Sequence, residues 1–274
     1  MATNRRRQSD IDEAKYERML REGRGQGAGA TYLPWCRVDE GRSLGRCHRT
    51  ASHLTGYRIH HLRSNLEYFA YLEYWWDEAV EDIREHYPLL PLARTLAIAQ
   101  ELGIRHPRNQ RTAFWIPQTV DFLVVSRYGL QAAAIMEDAA WKARRIRQRF
   151  AIAETFLAAE GVPLAPRFAS QLRTQRSLNL MWIYDGRPAL LDGPILKCGH
   201  PMVGEILHTV SHSRRLPSHS LAQTMDRARG AAPGTALYLI RRLLAERILA
   251  TNVDGPDISR GCPLSLGQKW HGHF

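Results

Sequence analysis

Runs of apolar residues at two spacings divide the chain. A short amphipathic helix is predicted over 10–22, with Ser9 or Asp10 as its N-cap, and glycines at 23–29 then force a loop. Residues 32–62 alternate in short runs between turn signals at Glu40-Gly41 and Thr55-Gly56, which predicts strands or extended arms. Leu66, Phe69, Ala70 and Leu72 follow Ser64 at helical spacing. A strand is predicted over 79–86, closed by Pro88 and Pro91, and a short helix over 92–102, ended by Gly103. Two strongly apolar strands over 119–126 and 130–137 flank a turn at Tyr128-Gly129. One long helix is predicted over 139–160, stopped by Gly161 and Pro163.

This pattern reads as a mixed α/β core over residues 1–165. Residues 166–197 read as a connection. Three helices over 202–211, 218–227 and 234–246, then a strand over 248–252, suggest a winged-helix module within 166–274. No stretch of about 18 apolar residues occurs, so no membrane span is expected. The basic start lacks the apolar segment of a secretory signal, and four scattered cysteines do not form a disulfide framework. The expected location is the cytoplasm.

Charge narrows the partners. The 274 residues carry 38 Lys+Arg against 27 Asp+Glu, a formal net charge of +11. Nearly all the positive charge is arginine, the lysines being Lys15, Lys142, Lys197 and Lys269. Guanidinium forks onto phosphate and stacks on bases, so a nucleic acid is the first candidate partner, against a merely solvated basic surface. Residues 1–9 read as a basic arm. Arg144, Arg145, Arg147 and Arg149 give one helix a basic face, either tracking phosphate or solvated.

Three carboxylates are candidates for chemistry. Asp121 sits among Phe122, Leu123, Val124 and Val125, where an isolated charge is costly unless it binds something. The hairpin returns Glu137 toward the same sheet end, and Glu67 falls on the first turn of the helix that starts at Ser64. Together they form a plausible hard-oxygen site for Mg²⁺ or Mn²⁺, able to activate water beside a scissile phosphate. Each also has a plainer reading. Ser64-x-x-Glu67 is a complete capping box, Asp121 can be a salt-bridged strand-end residue, and Glu137 with Asp138 can cap the next helix. His60 and His61 are candidates to contact phosphate or to serve the fold. Cys198, His200, His208 and His212 resemble a zinc cluster only loosely, lacking a CxxC pair.

The chain resembles a known family through Glu22-Gly-Arg-Gly-Gln-Gly-Ala-Gly29, Tyr32-Leu-Pro-Trp35, Gly45-Arg-Cys-His-Arg49 and Thr55-Gly56. The likeness continues through His60-His61-Leu62, Ser64-x-Leu66-Glu67, Asp82-Ile-Arg-Glu85, Pro88-Leu-Leu-Pro91 and Asp121-Phe-Leu-Val124. These segments, in this order, are similar to the TnsA family, the endonuclease subunit of heteromeric Tn7-type bacterial transposases. The likeness spans roughly the first 160 residues; beyond them only the winged-helix pattern is shared.

The resemblance implies a restriction-endonuclease-like core of the PD-(D/E)xK type and a Mg²⁺-dependent endonuclease that cuts the 5′ ends of an element. It implies as partners DNA, a DDE-type transposase subunit (TnsB-like) that cuts the 3′ ends, and an AAA+ regulator (TnsC-like). Glu67 and Asp121 match the family's metal-binding carboxylates. The family's Gln-x-Lys motif is replaced by Ile135-Met136-Glu137. Isoleucine cannot coordinate a metal, and glutamate cannot supply a lysine's positive charge. Glu137 is then a candidate further ligand and Lys142 a candidate substitute for the missing cation. The alternative is a catalytically silent architectural subunit that binds DNA ends and recruits the same partners.

Overall fold

The computed structural model describes residues 11–40, 45–213 and 217–270. The basic arm, the N-cap candidates Ser9 and Asp10, and the turn at Gly41 lie outside the described residues. The chain divides into two compact units, the first ending at Arg173 and the second beginning at Thr174.

In the first unit, helix α1 (Glu13–Arg21) starts where the Asp12 carboxylate accepts the Lys15 N–H at 2.8 Å. Short strands β1 (His48–Thr50) and β2 (His60–Leu62) pair antiparallel, and helix α2 (Asn65–Trp76) follows. Strand β3 (Val80–Pro88) leads to helix α3 (Leu92–Glu101). The apolar runs then form the hairpin β4 (Thr119–Ser126) and β5 (Gly129–Met136), with the turn at Arg127-Tyr128. Helix α4 (Arg144–Ala158) returns the chain to β6 (Leu164–Phe168), and the four-residue helix α5 (Ala169–Leu172) closes the unit.

The central sheet is mixed, in the order β3-β4-β5-β6. β3, β4 and β5 are antiparallel and β6 adds parallel to β5. Val120 and Leu123 of β4 and Ala132 of β5 pack against Ile98 of α3 and Ile152, Phe156 and Leu157 of α4. Phe122 meets Tyr74 of α2 edge-on at 5.5 Å between ring centroids. Burying the Val, Leu, Ile and Phe side chains among these contributes roughly 1.5–3 kcal/mol each.

The first unit departs from expectation in two places. The helix expected over 139–160 is broken: Asp138–Lys142 form a 3₁₀ segment, and the α-helix begins only at Arg144. Asp138 is bound to Ser170, accepting its N–H at 2.9 Å, and so is not a cap for α4. Arg147 reaches back to donate to the carbonyls of Trp141 at 2.9 Å and Lys142 at 2.8 Å, which satisfies the tight turn from outside. The connection expected over 166–197 contains most of β6, all of α5 and, beyond the division, a further helix. Pro166 disguises β6 in the sequence, but this strand is a sheet edge, where a missing N–H is tolerated.

The second unit begins with α6 (Gln175–Tyr184), capped by the Thr174 hydroxyl, which accepts the Ser177 N–H at 3.2 Å. Helices α7 (Pro201–His212), α8 (Ser218–Arg229) and α9 (Thr235–Ala245) precede a two-residue ribbon, β7 (Leu249–Ala250) with β8 (Ser265–Leu266). Buried Asp226 of α8 caps α9, accepting N–H groups of Gly234 at 2.8 Å and Ala236 at 2.9 Å. Buried Asn179 of α6 ties down the loop after β7, donating to Val253 O at 3.0 Å and accepting the Ile258 N–H at 3.2 Å. Among the described residues no helix is long and apolar enough to cross a membrane.

Candidate functional site

The first unit holds a cavity of about 500 Å³ lined by, among others, Glu67, His86, Gln118, Asp121 and Arg149. Sheet register builds it. Glu85 pairs with Phe122 and Tyr87 with Val120, so Asp121 lies across β3 from His86. On the other side Phe122 pairs with Ala133, which brings Ala134 and Ile135 alongside Asp121. The Ile135 N–H donates to Asp121 Oδ2 at 2.6 Å and so fixes the carboxylate to the neighbouring strand.

Glu67 arrives from α2. Its N–H donates to the Ser64 hydroxyl at 3.1 Å, and its Oε2 accepts the Arg63 N–H at 2.8 Å. Ser64 therefore caps α2 as the sequence predicts, but the Glu67 carboxylate takes the N–H of Arg63, one residue before the cap, in place of that of Ser64, and the same residue also lines the cavity. Cap and candidate ligand, two readings of one glutamate, coincide.

The electrostatics of the pair are unusual for carboxylates. Burial, with the Asp121 charge adding to it, raises the Glu67 carboxyl above its ordinary range. Burial also raises Asp121, against the Ile135 hydrogen bond and the charges of Arg149 and Arg63. A cation bound beside two desolvated, mutually repelling carboxylates that line one cavity would relieve that repulsion. The donor set suits a hard divalent ion. Cys36 also lines the cavity, but burial pushes its thiol up and keeps it protonated, which disfavours a soft-metal site.

Other candidates lie elsewhere. His60 is fully buried: its Nδ1 donates to Glu85 at 2.8 Å and its Nε2 accepts from the Thr55 hydroxyl at 2.8 Å. With both ring nitrogens engaged, it serves the fold and does not face DNA. His61 is half-buried, its Nδ1 accepting the Val38 N–H at 3.4 Å, and it does not line the cavity. Glu137 is exposed and ion-paired to Arg173, with Nη1 to Oε2 at 2.9 Å, so it does not join the other two carboxylates. Lys142 is exposed at the end of the 3₁₀ segment, two residues before α4, and does not line the cavity either. Of the basic helix face, Arg149 lines the cavity, Arg144 is exposed, and Arg145 is exposed with a hydrogen bond to the Arg105 carbonyl.

In the second unit, His200 caps α7 by accepting the Met202 N–H at 3.3 Å, and the rings of His208 and His212 lie 4.3 Å apart, tilted by 31°. Among the described residues no three His, Cys, Asp or Glu side chains cluster to hold a metal.

Sequence reasoning passed over His86, Gln118 and Arg63. His86 adopts a left-handed backbone, φ 49°, and donates from Nε2 to the His61 carbonyl at 2.8 Å. That nitrogen lies 3.5 Å from Glu67 Oε2. Burial lowers the ring to about 4, so it is neutral near pH 7. His86 carries no motif of its own; only its position across from Asp121 marks it.

No family model matches the chain. Over 248 residues the chain is 31% identical to the transposon Tn7 transposition protein TnsA of Escherichia coli, covering 89% of this chain and 88% of that protein. Similarity of that extent, across both compact units, makes this chain a member of the TnsA family.

Proposed function

We propose that this chain is the Mg²⁺-dependent DNA endonuclease subunit of a Tn7-type transposase, hydrolysing phosphodiesters at the 5′ ends of the element. The observation that carries this reading is the convergence of Glu67 and Asp121, both desolvated, on one cavity that Arg149 also lines. The first unit is then a restriction-endonuclease-like PD-(D/E)xK core. The helices α7, α8 and α9 with the β7–β8 ribbon form the winged-helix domain.

Glu67 and Asp121 would hold Mg²⁺, or Mn²⁺ in its place, and an ion there would supply activation of a water and neutralisation of charge on the phosphate. Asp121 is held in place by the Ile135 N–H, and Glu67 by the Arg63 N–H and the Ser64 hydroxyl. Arg149 supplies positive charge beside the phosphate, the role the family gives to a lysine that this cavity lacks. Arg144 and Arg145 extend that charge along the start of α4, so DNA binding weakens steeply with salt. The partners are the element's DNA ends, a DDE-type subunit and an AAA+ regulator.

The replaced motif favours a second reading. Ile135 offers no ligand side chain and Glu137 is turned to Arg173, as expected of a silent subunit that binds ends and recruits its partners. The two readings separate in a nicking assay on plasmid-borne element ends with Mg²⁺ or Mn²⁺ and the cognate DDE subunit. The endonuclease nicks, and Asp121→Ala does not. If the wild-type protein leaves DNA intact with either metal while the complex still assembles, the silent reading holds.

A further inference from the structure

The cavity contains a polar group that the carboxylate pair does not use. Gln118 is 3% exposed and lines the cavity, and its Nε2 has no hydrogen-bond partner. A buried amide donor without an acceptor is costly and uncommon in folded proteins. Its backbone is not free to relax. The Gln118 carbonyl accepts the Leu89 N–H at 2.9 Å, and the next residue, Thr119, pairs with Pro88. The side chain is thus anchored at the junction of β3 and β4, three residues before Asp121.

Two acceptors line the same cavity, Glu67 and Asp121, yet neither takes a hydrogen bond from this amide. An N–H donor cannot ligate a cation, so a metal between those carboxylates leaves Nε2 unsatisfied. An acceptor arriving from outside satisfies it. Arg63 and Arg149 line the cavity too, making it receptive to an anion.

We propose that Gln118 is a substrate-contacting residue whose side-chain amide donates to a non-bridging phosphate oxygen of the bound DNA strand. This deepens the proposed function, since it rests on DNA being the occupant of the cavity. Both readings of that function, cutting and silent, keep the contact. The amide reads no base, so it positions the backbone and contributes no sequence preference.

The test uses Gln118→Met, which keeps the side chain's length without its donor, and Gln118→Glu, which sets a negative charge against the phosphate. Binding of an element-end duplex is measured in EDTA with the full-length chain and its DDE subunit. Mn²⁺ affinity and thermal midpoint are measured on the chain alone. Gln118→Met is expected to weaken duplex binding about tenfold, with Mn²⁺ affinity unchanged and the midpoint equal or higher. Gln118→Glu is expected to weaken it further. Unchanged duplex affinity in both variants means that solvent satisfies the amide, and overturns the proposal. Loss of Mn²⁺ affinity in Gln118→Met also overturns it, because the amide oxygen is then a metal ligand. Nicking by the wild-type protein is scored separately. Its absence removes the endonuclease reading without touching the EDTA result, and wild-type duplex affinity in both variants beside normal wild-type nicking removes Gln118 alone.

Discussion

Two sets of desolvated carboxylates belong to the first unit, and they behave in opposite ways. Glu85 on β3 is fully buried and receives Arg58 through two nitrogens at 2.7 and 2.9 Å, His60 at 2.8 Å and the His61 N–H at 3.1 Å. Burial alone would raise its carboxyl, but His60 and Arg58 more than offset this and hold it well below the usual range. Glu67 and Asp121 have fewer donors and opposite shifts: burial raises both, and the charges of Arg63 and Arg149 only partly offset it. Asp121 accepts one hydrogen bond among the described residues, from Ile135. The contrast separates charge that completes a fold from charge held for something else. A fully satisfied carboxylate is a structural part; a strained pair facing a cavity is poised to bind.

The contrast can be broken experimentally. The largest effect is expected at Glu67, which serves both cap and site. Glu67→Gln keeps a capping side chain and is expected to lose nicking on the order of a thousandfold or more, with no loss of stability. Glu67→Ala loses nicking equally and about 1–2 kcal/mol of stability as well. Nicking retained in Glu67→Gln would end its assignment as a ligand. Next is the structural carboxylate: Glu85→Gln leaves Arg58 buried without its counter-charge and is expected to cost about 3–5 kcal/mol in chemical denaturation.

Asp121→Asn should act with the opposite sign. It removes a raised charge while the amide oxygen still accepts the Ile135 N–H, so the metal-free protein is expected to gain about 1–2 kcal/mol near pH 8. The folded Asp121 carboxyl is raised from 3.8 to about 6, so its ionised form penalises the fold above that range. As pH falls through 6 the folded group takes up its proton and the penalty fades. The advantage of Asn over Asp is therefore expected to vanish by about pH 4 in melting curves. An advantage independent of pH would mean that charge is not its source. The smallest effects are expected at Glu137→Gln and Lys142→Ala, both exposed: nicking within about threefold of wild type and stability within about 0.5 kcal/mol. A large loss of nicking in either would bring the altered motif back into the chemistry.

Much of this arrangement was legible along the chain, for identifiable reasons. The β4–β5 hairpin is written as two apolar runs around Tyr128, and α2 as a capping box before an apolar stripe. Local chemistry fixes both, so Glu67 and Asp121 could be named without coordinates. Glu137 could not be excluded, because strand alternation ends at Met136 and the following turn depends on the distant Arg173 and on Ser170 holding Asp138. His60 looked available because sequence does not reveal that Glu85, 25 residues away, lies beside it. Helix α6 was legible but passed over, since Leu180, Ile183 and Tyr184 recur at helical spacing behind a Thr174 cap. His86 and Gln118 had no local signal; they acquire meaning only when β3 and β4 come together.

The hydrogen bond from Ile135 to Asp121 has an evolutionary consequence. Its donor is a peptide N–H, which every residue except proline possesses. Position 135 can therefore drift from one amino acid to another while the aspartate keeps its orientation. Divergence in a lineage then erases the written signature at this strand long before it disturbs the geometry beneath. Descendants of such a chain are better traced by which backbone atoms meet than by which letters persist.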